Sequence, residues 1–388
     1  MSSAFFAIAV VPPGLEESAA AELAALRAVE PRLLRRAVSF RCDPATLYRL
    51  HLQARLPFRI LRELARFPCH NRDDLYDGIQ GAVDWEQWLP PERSFRVDAS
   101  GSAPGLNHSH YSALQVKNAL IDWQRRRWGA RSSVDLDNPD LSLHLHLGGG
   151  LASLSVDGSG SSLHRRGYRP AMGLAPLKEN LAAGLIRLTG WDGGVPLADP
   201  LCGSGTLLIE AVAMALGRPA GLDAATGEAR DLALRHWRDF DSALWQQEVE
   251  AARAACRTTL ADGRPLAPVL GCDADPQVLE QARSNAEAAG VMPWLALSGG
   301  DCRDFEPPVG PGILVCNPPY GERIGAGDDL EQLYADLGTM VKQRCSGWTL
   351  WLLSGNPELT GALRMKASRK VPVSNGGLDC RWLRYEIR

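Results

Sequence analysis

Beyond residue 196 short apolar runs alternate with longer helix-like stretches, and this alternation limits the fold more than any other feature of the chain. Strands are expected at Pro196 to Ala198, Pro268 to Gly271, Leu295 to Leu297, Ile313 to Cys316 and Thr349 to Leu353. Runs this short, separated by segments long enough for a crossover helix, form a parallel sheet covered on both faces. A closing pair near Lys370 to Val373 and Cys380 to Ile387, around Gly376-Gly377, reads as an antiparallel edge hairpin. Ligands of such doubly wound α/β sheets sit outside the carboxyl ends of the strands. The residues that follow each strand are therefore where chemistry is expected.

The first strand runs into Asp199-Pro200-Leu201-Cys202-Gly203-Ser204-Gly205-Thr206 and then a helical stretch, Leu207 to Ala215. Glycines at this turn let backbone amides approach a ligand beside the positive end of a helix. A dinucleotide could use it, but the third Gly of that fingerprint is missing and Asp199 would repel a diphosphate. Both differences favour S-adenosylmethionine. Asp273 closes the next strand and can accept both hydroxyls of a ribose, while Asp275 and Pro276 cap and start a helix running to Gly290. Asp301, with Cys302 beside it, is placed to accept an adenine amino group. Singly, each acid reads as a loop or cap residue. On successive strand ends they make a joint cofactor site of Asp199, Pro200, Cys202, Gly203, Ser204, Gly205, Thr206, Asp273, Asp301, Cys302 and Asn317.

Asn317-Pro318-Pro319-Tyr320 follows the apolar run Gly312 to Cys316. The Asn317 amide oxygen and the Pro318 carbonyl can both accept from one planar NH2, and the Tyr320 ring can stack on the plane that carries it. Proline has no N–H to compete. This suits methylation of adenine N6, guanine N2 or a Gln amide; an ordinary Asn-Pro turn is the bland alternative. Cys316 could be the nucleophile of a pyrimidine-carbon methyltransferase, but as the last residue of an apolar strand it reads as a small buried side chain. Arg165, Arg166, Tyr168 and Arg169, between Leu163 and Pro170, interleave cations with an aromatic and could grip RNA. Arg125 to Arg127 with Trp123 and Trp128 is a weaker candidate of the same kind.

The chain has 388 residues and 45% hydrophobic content, which implies two or three domains. Residues 1–170 carry 21 Lys+Arg against 18 Asp+Glu, net +3, and the remainder 21 against 27, net −6. Nine scattered cysteines without a CxxC pair point to reduced thiols in the cytoplasm, no metal and an organic cofactor. No stretch is long enough to span a membrane, and the apolar run Phe5 to Val11 reads as a first strand rather than a signal peptide. Strand Ala4 to Val11, helix Leu15 to Ala28 and strand Leu33 to Phe40 form half of a ferredoxin-like unit. Next come a helix from Pro44 to Gln53, a strand or helix to Phe67, a helix from about Asp73, and strands Phe95 to Ala99 and Leu141 to Leu147 around a helix from Ser109 to Trp128. Gly148 to Gly150 and Gly158 to Ser162 are hinge-like and mark the main domain boundary. Pro176 starts a helix that Gly190 ends.

The ordered set LHRRGYR, APLKENLA, DPLCGSGTLLIEA, GCDADP, GDCRDF and NPPYGERIG resembles the bacterial 23S ribosomal RNA guanine-N2 methyltransferases that carry a THUMP domain, from FFAIAVVPPGLEE to NGGLDC. The resemblance implies a ferredoxin-like unit over residues 1–50, a THUMP RNA-binding domain over 51–160 and a class I, Rossmann-like methyltransferase domain over 161–388. It implies methyl transfer from S-adenosylmethionine to guanosine N2 in 23S rRNA or its assembly intermediate, with tRNA as the alternative substrate. Cofactor roles carry over to Asp199, Gly203, Gly205, Asp273 and Asp301, and target-amine roles to Asn317, Pro318 and Tyr320. In many bacteria this protein is fused to a second methyltransferase; only the N2 chemistry is expected of this chain. A nicotinamide-dependent oxidoreductase and a catalytically idle RNA-binding module are the rival classes. The stretch from about Gly217 to Arg264 has no assigned role, and the oligomeric state is left open.

Overall fold

The computed structural model describes residues 4–169, 177–320 and 327–388. Fourteen strands among the described residues divide equally between two sheets. The first sheet contains β1 (Phe5–Val10), β2 (Val29–Leu34), β3 (Ala37–Cys42), β4 (Arg59–Pro68), β5 (Phe95–Gly101), β6 (Leu141–Gly148) and β7 (Leu151–Asp157). Their spatial order is β2-β3-β1-β4-β7-β6-β5. The ferredoxin-like unit and the strands after it thus share one continuous sheet, joined where β4 pairs with β1 on one side and β7 on the other.

The second sheet contains β8 (Leu197–Asp199), β9 (Val269–Asp273), β10 (Leu295–Gly299), β11 (Ile313–Cys316), β12 (Thr349–Ser354), β13 (Arg369–Asn375) and β14 (Leu378–Glu386). The order is β10-β9-β8-β11-β12-β14-β13, parallel as far as β12, with β14 antiparallel to β12 and hairpinned to β13. This is the expected doubly wound sheet with an antiparallel edge. Its helices start and stop as the sequence dictates. Asp275 accepts hydrogen bonds from the backbone N–H groups of Gln277 and Val278 at the head of Pro276–Ala288, and Gly190 ends Glu179–Thr189 in the left-handed conformation, φ 76°. The expected start of that second helix, Pro176, lies outside the described residues.

Three expectations change. The single strand from Leu33 to Phe40 is a hairpin, β2–β3, which turns at Arg36 with φ 60°; arginine gives no glycine signal for such a turn. Gly148 to Gly150 is no hinge, because Gly149 and Gly150, at φ 61° and 75°, close the β6–β7 hairpin. The stretch after Gly217 contains a helix, Ser242–Ala254, packed on helix Pro44–Gln53 of the N-terminal half. There Arg49 pairs with Glu248 at 2.6 Å, the Tyr48 ring meets Phe240 and Trp245 at 5.5 Å, and Gly221 N–H donates to the Leu52 carbonyl at 2.7 Å. This insertion fastens the two sheets together.

Candidate functional site

The carboxyl ends of β10, β9, β8 and β11 lie side by side, which brings together Asp301, Asp273, Asp199 and Asn317 in that order. Between them the glycine turn is pinned from three directions. Cys202 N–H donates to the Cys272 carbonyl at 2.9 Å, Gly203 N–H to Asp273 Oδ2 at 2.9 Å, and Asn285 Nδ2 to the Ser204 carbonyl at 3.1 Å. Gly203 and Gly205 hold φ of 55° and 79°, and helix Thr206–Ala215 begins immediately after. A Cβ on Gly203 would meet nothing within 4 Å, so the turn opens onto free space.

Asp199 is buried and, among the described residues, accepts only from the Leu201 N–H at 3.0 Å. Burial, with repulsion from Asp273 adding to it, pushes its carboxyl up to about 8. Asp273 accepts from two backbone amides, Gly203 N–H on one oxygen and Asp275 N–H on the other at 3.0 Å, so it shapes the turn as well as facing it. Asp301 is clamped by Arg303, whose guanidinium donates to Oδ2 at 2.6 Å and holds the carboxyl down at about 2. Arg303 lies inside GDCRDF, but the motif by itself does not assign it this role. Cys302 is buried behind this pair, its thiol pushed up to about 12 by burial.

In the Asn-Pro-Pro-Tyr turn, Asn317 Oδ1 is closed off from solvent and has no hydrogen-bond partner among the described residues. Pro318 is buried, and the Pro319 carbonyl accepts from the Tyr334 hydroxyl at 3.4 Å. The Tyr320 hydroxyl accepts from Asn375 Nδ2 at 2.8 Å, and its ring lies 3.2 Å from where a Cβ on Gly355 would stand. Tyr334 and Gly355 lie outside the quoted motifs, and Asn375 opens NGGLDC without any local sign of this contact, so only the fold reveals them as supports of the turn. Cys316 is fully buried and its thiol is raised far above the ordinary value by that burial. It lacks the thiolate character of a nucleophile. The Gly321 to Ile324 extension of the motif lies outside the described residues.

The segment expected to grip RNA is largely spent on the interior. Arg166 and Tyr168 are buried around Glu210, a buried acid on the helix after the glycine turn. The Tyr168 hydroxyl donates to Glu210 at 3.3 Å, Arg55 donates at 2.8 Å and the Arg166 Nε stands 3.6 Å away. A buried carboxylate requires such partners, and neither Arg166 nor Tyr168 faces solvent to meet RNA. Arg169 donates to Thr206 Oγ1 and to the Leu177 carbonyl, tying the same segment to the first turn of that helix. Arg165 alone of the four is exposed, and Pro170 lies outside the described residues. Arg125, Arg126 and Arg127 are exposed, with Trp123 and Trp128 edge to face at 5.1 Å beside them.

With this geometry in place, comparison with known proteins gives a consistent result. The profile described as RMKL-like, methyltransferase domain matches residues 166–384, the THUMP domain profile residues 69–157, and the RlmL ferredoxin-like domain profile residues 7–61. A Synechocystis sp. protein provisionally named an RNA methyltransferase is 43% identical over 98% of this chain and 96% of its own length. The Pseudomonas entomophila protein named ribosomal RNA large subunit methyltransferase K/L is 39% identical over 100% of this chain and 53% of its own length, so the chain spans about half of that relative. Among solved structures, SMU.472 complexed with SAH aligns over 100% of this chain and 99% of its own, with a TM-score of 0.85 and 27% identity. TrmN from Thermus thermophilus has the same fold, with a TM-score of 0.70 at 24% identity over 99% of this chain and 100% of its own.

Proposed function

Because the chain belongs to the RMKL-like methyltransferase family, with a ferredoxin-like unit and a THUMP domain ahead of the methyltransferase domain, we propose that it methylates guanosine N2 in 23S ribosomal RNA, using S-adenosylmethionine. The THUMP match and the rRNA methyltransferase named among the relatives support RNA as the substrate. The observation that carries the target chemistry is Asn317 Oδ1, a buried acceptor with no partner among the described residues. Such an orphan costs about 1 to 3 kcal/mol, a cost that an incoming NH2 removes.

The residues fit the cofactor. The space at Gly203 admits a ligand against backbone, the buried Asp199 carboxyl favours a cationic neighbour, and Asp273 retains lone pairs for hydroxyl donors. In this arrangement Gly203 to Thr206 cradle the amino-acid end, Asp273 accepts from the ribose, and Asp301 with Cys302 flanks the adenine. S-adenosylmethionine, when bound, supplies a methyl carbon made electrophilic by its sulfonium. Guanine N2 is a poor nucleophile because its lone pair is shared with the ring. Asn317 Oδ1 and the Pro318 carbonyl accept hydrogen bonds from its two N–H groups and favour a pyramidal nitrogen, and once the methyl is attached one of those protons leaves to water. Tyr320, its hydroxyl fixed by Asn375, offers its ring to the extruded base.

Nucleoside mass spectrometry of rRNA and tRNA from a deletion strain tests this reading. N2-methylguanosine should fall in 23S rRNA and return on complementation. Loss confined to tRNA, or loss of a different methylated nucleoside, would reject it.

A further inference from the structure

We propose that a groove beside the Asn-Pro-Pro-Tyr turn holds the single-stranded RNA flanking the target nucleotide, with its phosphates on Lys366, Lys370 and Arg381. This rests on the reading that the turn receives an RNA base. The groove has a volume of about 860 Å³ and is walled by the end of β12, the helix Pro357–Ala362 and the β13–β14 hairpin. It shares two residues with the target site. Gly355 lies against the Tyr320 ring and Cys380 Sγ is 3.7 Å from the Tyr320 hydroxyl, and both also line the groove.

Its charge is out of keeping with its surroundings. The second half of the chain is net acidic, yet Arg364 to Lys370 carries four cations and no acid. Two of the five lysines in the whole chain, Lys366 and Lys370, line the groove. Lys366, Lys370 and Arg381 are exposed and form no ion pair among the described residues. Register puts Pro372 opposite Arg381 and Lys370 opposite Leu383, so Lys370 and Arg381 are diagonal neighbours on one face of the hairpin. Asp379 is the one acid in the lining, and the balance remains positive.

The place of the groove also suits a strand of RNA. Pro372 lines it, and the Pro372 carbonyl closes on Gly14 of the ferredoxin-like unit, so the groove opens beside the N-terminal half. A base drawn out for methylation leaves its neighbours unstacked and their phosphates accessible. Mobile lysine ammonium groups suit phosphates as point charges.

The test compares the full-length wild type with the Lys366→Ala/Lys370→Ala/Arg381→Ala variant on protein-free 23S rRNA. Circular dichroism checks folding, and S-adenosylhomocysteine affinity should be unchanged. KM for RNA should rise about tenfold or more while kcat at saturating RNA is retained. Because the variant lacks three phosphate-binding cations, the slope of log affinity against log salt should shrink by about 2. A folded variant with wild-type KM and salt slope, or with reduced kcat at unchanged KM, would overturn the groove. Should the wild type methylate no RNA, the function reading falls, and direct binding of the same RNA to both proteins still decides the groove by the same slope difference.

Discussion

Asp199 and Asp273 sit at neighbouring strand ends in different environments, one buried with a single donor and the other holding two backbone amides, and the proposed roles differ accordingly. Burial pushes the folded Asp199 carboxyl up from an ordinary 3.8 to about 8. Between those values the folded protein holds a proton that the unfolded chain has released, so stability falls as pH rises through the window. A cationic ligand reverses this by favouring the carboxylate. Affinity for S-adenosylmethionine should therefore climb from about pH 6 to about pH 8, by up to roughly tenfold per unit, and then level off. Asp199→Asn should flatten that profile, and calorimetry that finds wild-type affinity independent of pH would reject the role. Asp273→Ala removes both the proposed ribose acceptor and the anchor of Gly203. It should weaken cofactor binding by about 1.5 to 3 kcal/mol; unchanged calorimetric affinity would count against the assignment.

At the scale of elements, the site stands where it does because β8 to β11 are short apolar strands whose polar ends align. That much is readable in the sequence. Ile313–Cys316, the Asp275-Pro276 cap and the Gly376-Gly377 hairpin all follow from local chemistry that a single chain displays. The supports of the site are not readable there. Arg303 clamps Asp301, Tyr334 and Asn375 hold the Asn-Pro-Pro-Tyr turn from distant positions, and Glu210 draws Arg166 and Tyr168 inward. Each depends on which face of a helix or strand turns to the core, which a lone motif does not specify. The strand β7 is hidden by the glycine-rich segments on either side of it. The insertion after Gly217 is likewise defined by its contacts, and these are measurable. Arg49→Ala leaves Glu248 buried without its cation and should lower the unfolding free energy by about 1.5 to 3 kcal/mol. Denaturation at wild-type midpoint and slope would contradict the fastening role of that helix.

Across the whole molecule the two sheets form a shared core, with no solvated linker dividing them among the described residues. Leu15 and Leu56 press on Gly184, where an added Cβ would stand 2.2 Å from the Leu15 side chain, and Arg55 reaches across to Glu210. Residues 1–160 therefore cannot be removed without exposing this seam, and their deletion should leave an unstable protein rather than a free-standing cofactor-binding domain. Calorimetric unfolding of the intact chain should give one transition for both halves; two well-separated transitions would contradict the shared core. On the proposed reading, in which the N-terminal half holds RNA, the seam would fix the distance from that RNA to a point on the second sheet.

We propose that this point is Asn317, whose side chain aligns the target amine in the transition state. Single-turnover methylation of 23S rRNA by Asn317→Ala, at saturating RNA and cofactor, tests it most directly. The rate should fall by about a hundredfold or more with no rescue by added RNA, while S-adenosylhomocysteine affinity stays at the wild-type value. A wild-type rate, or a product methylated at a ring carbon, would contradict the account.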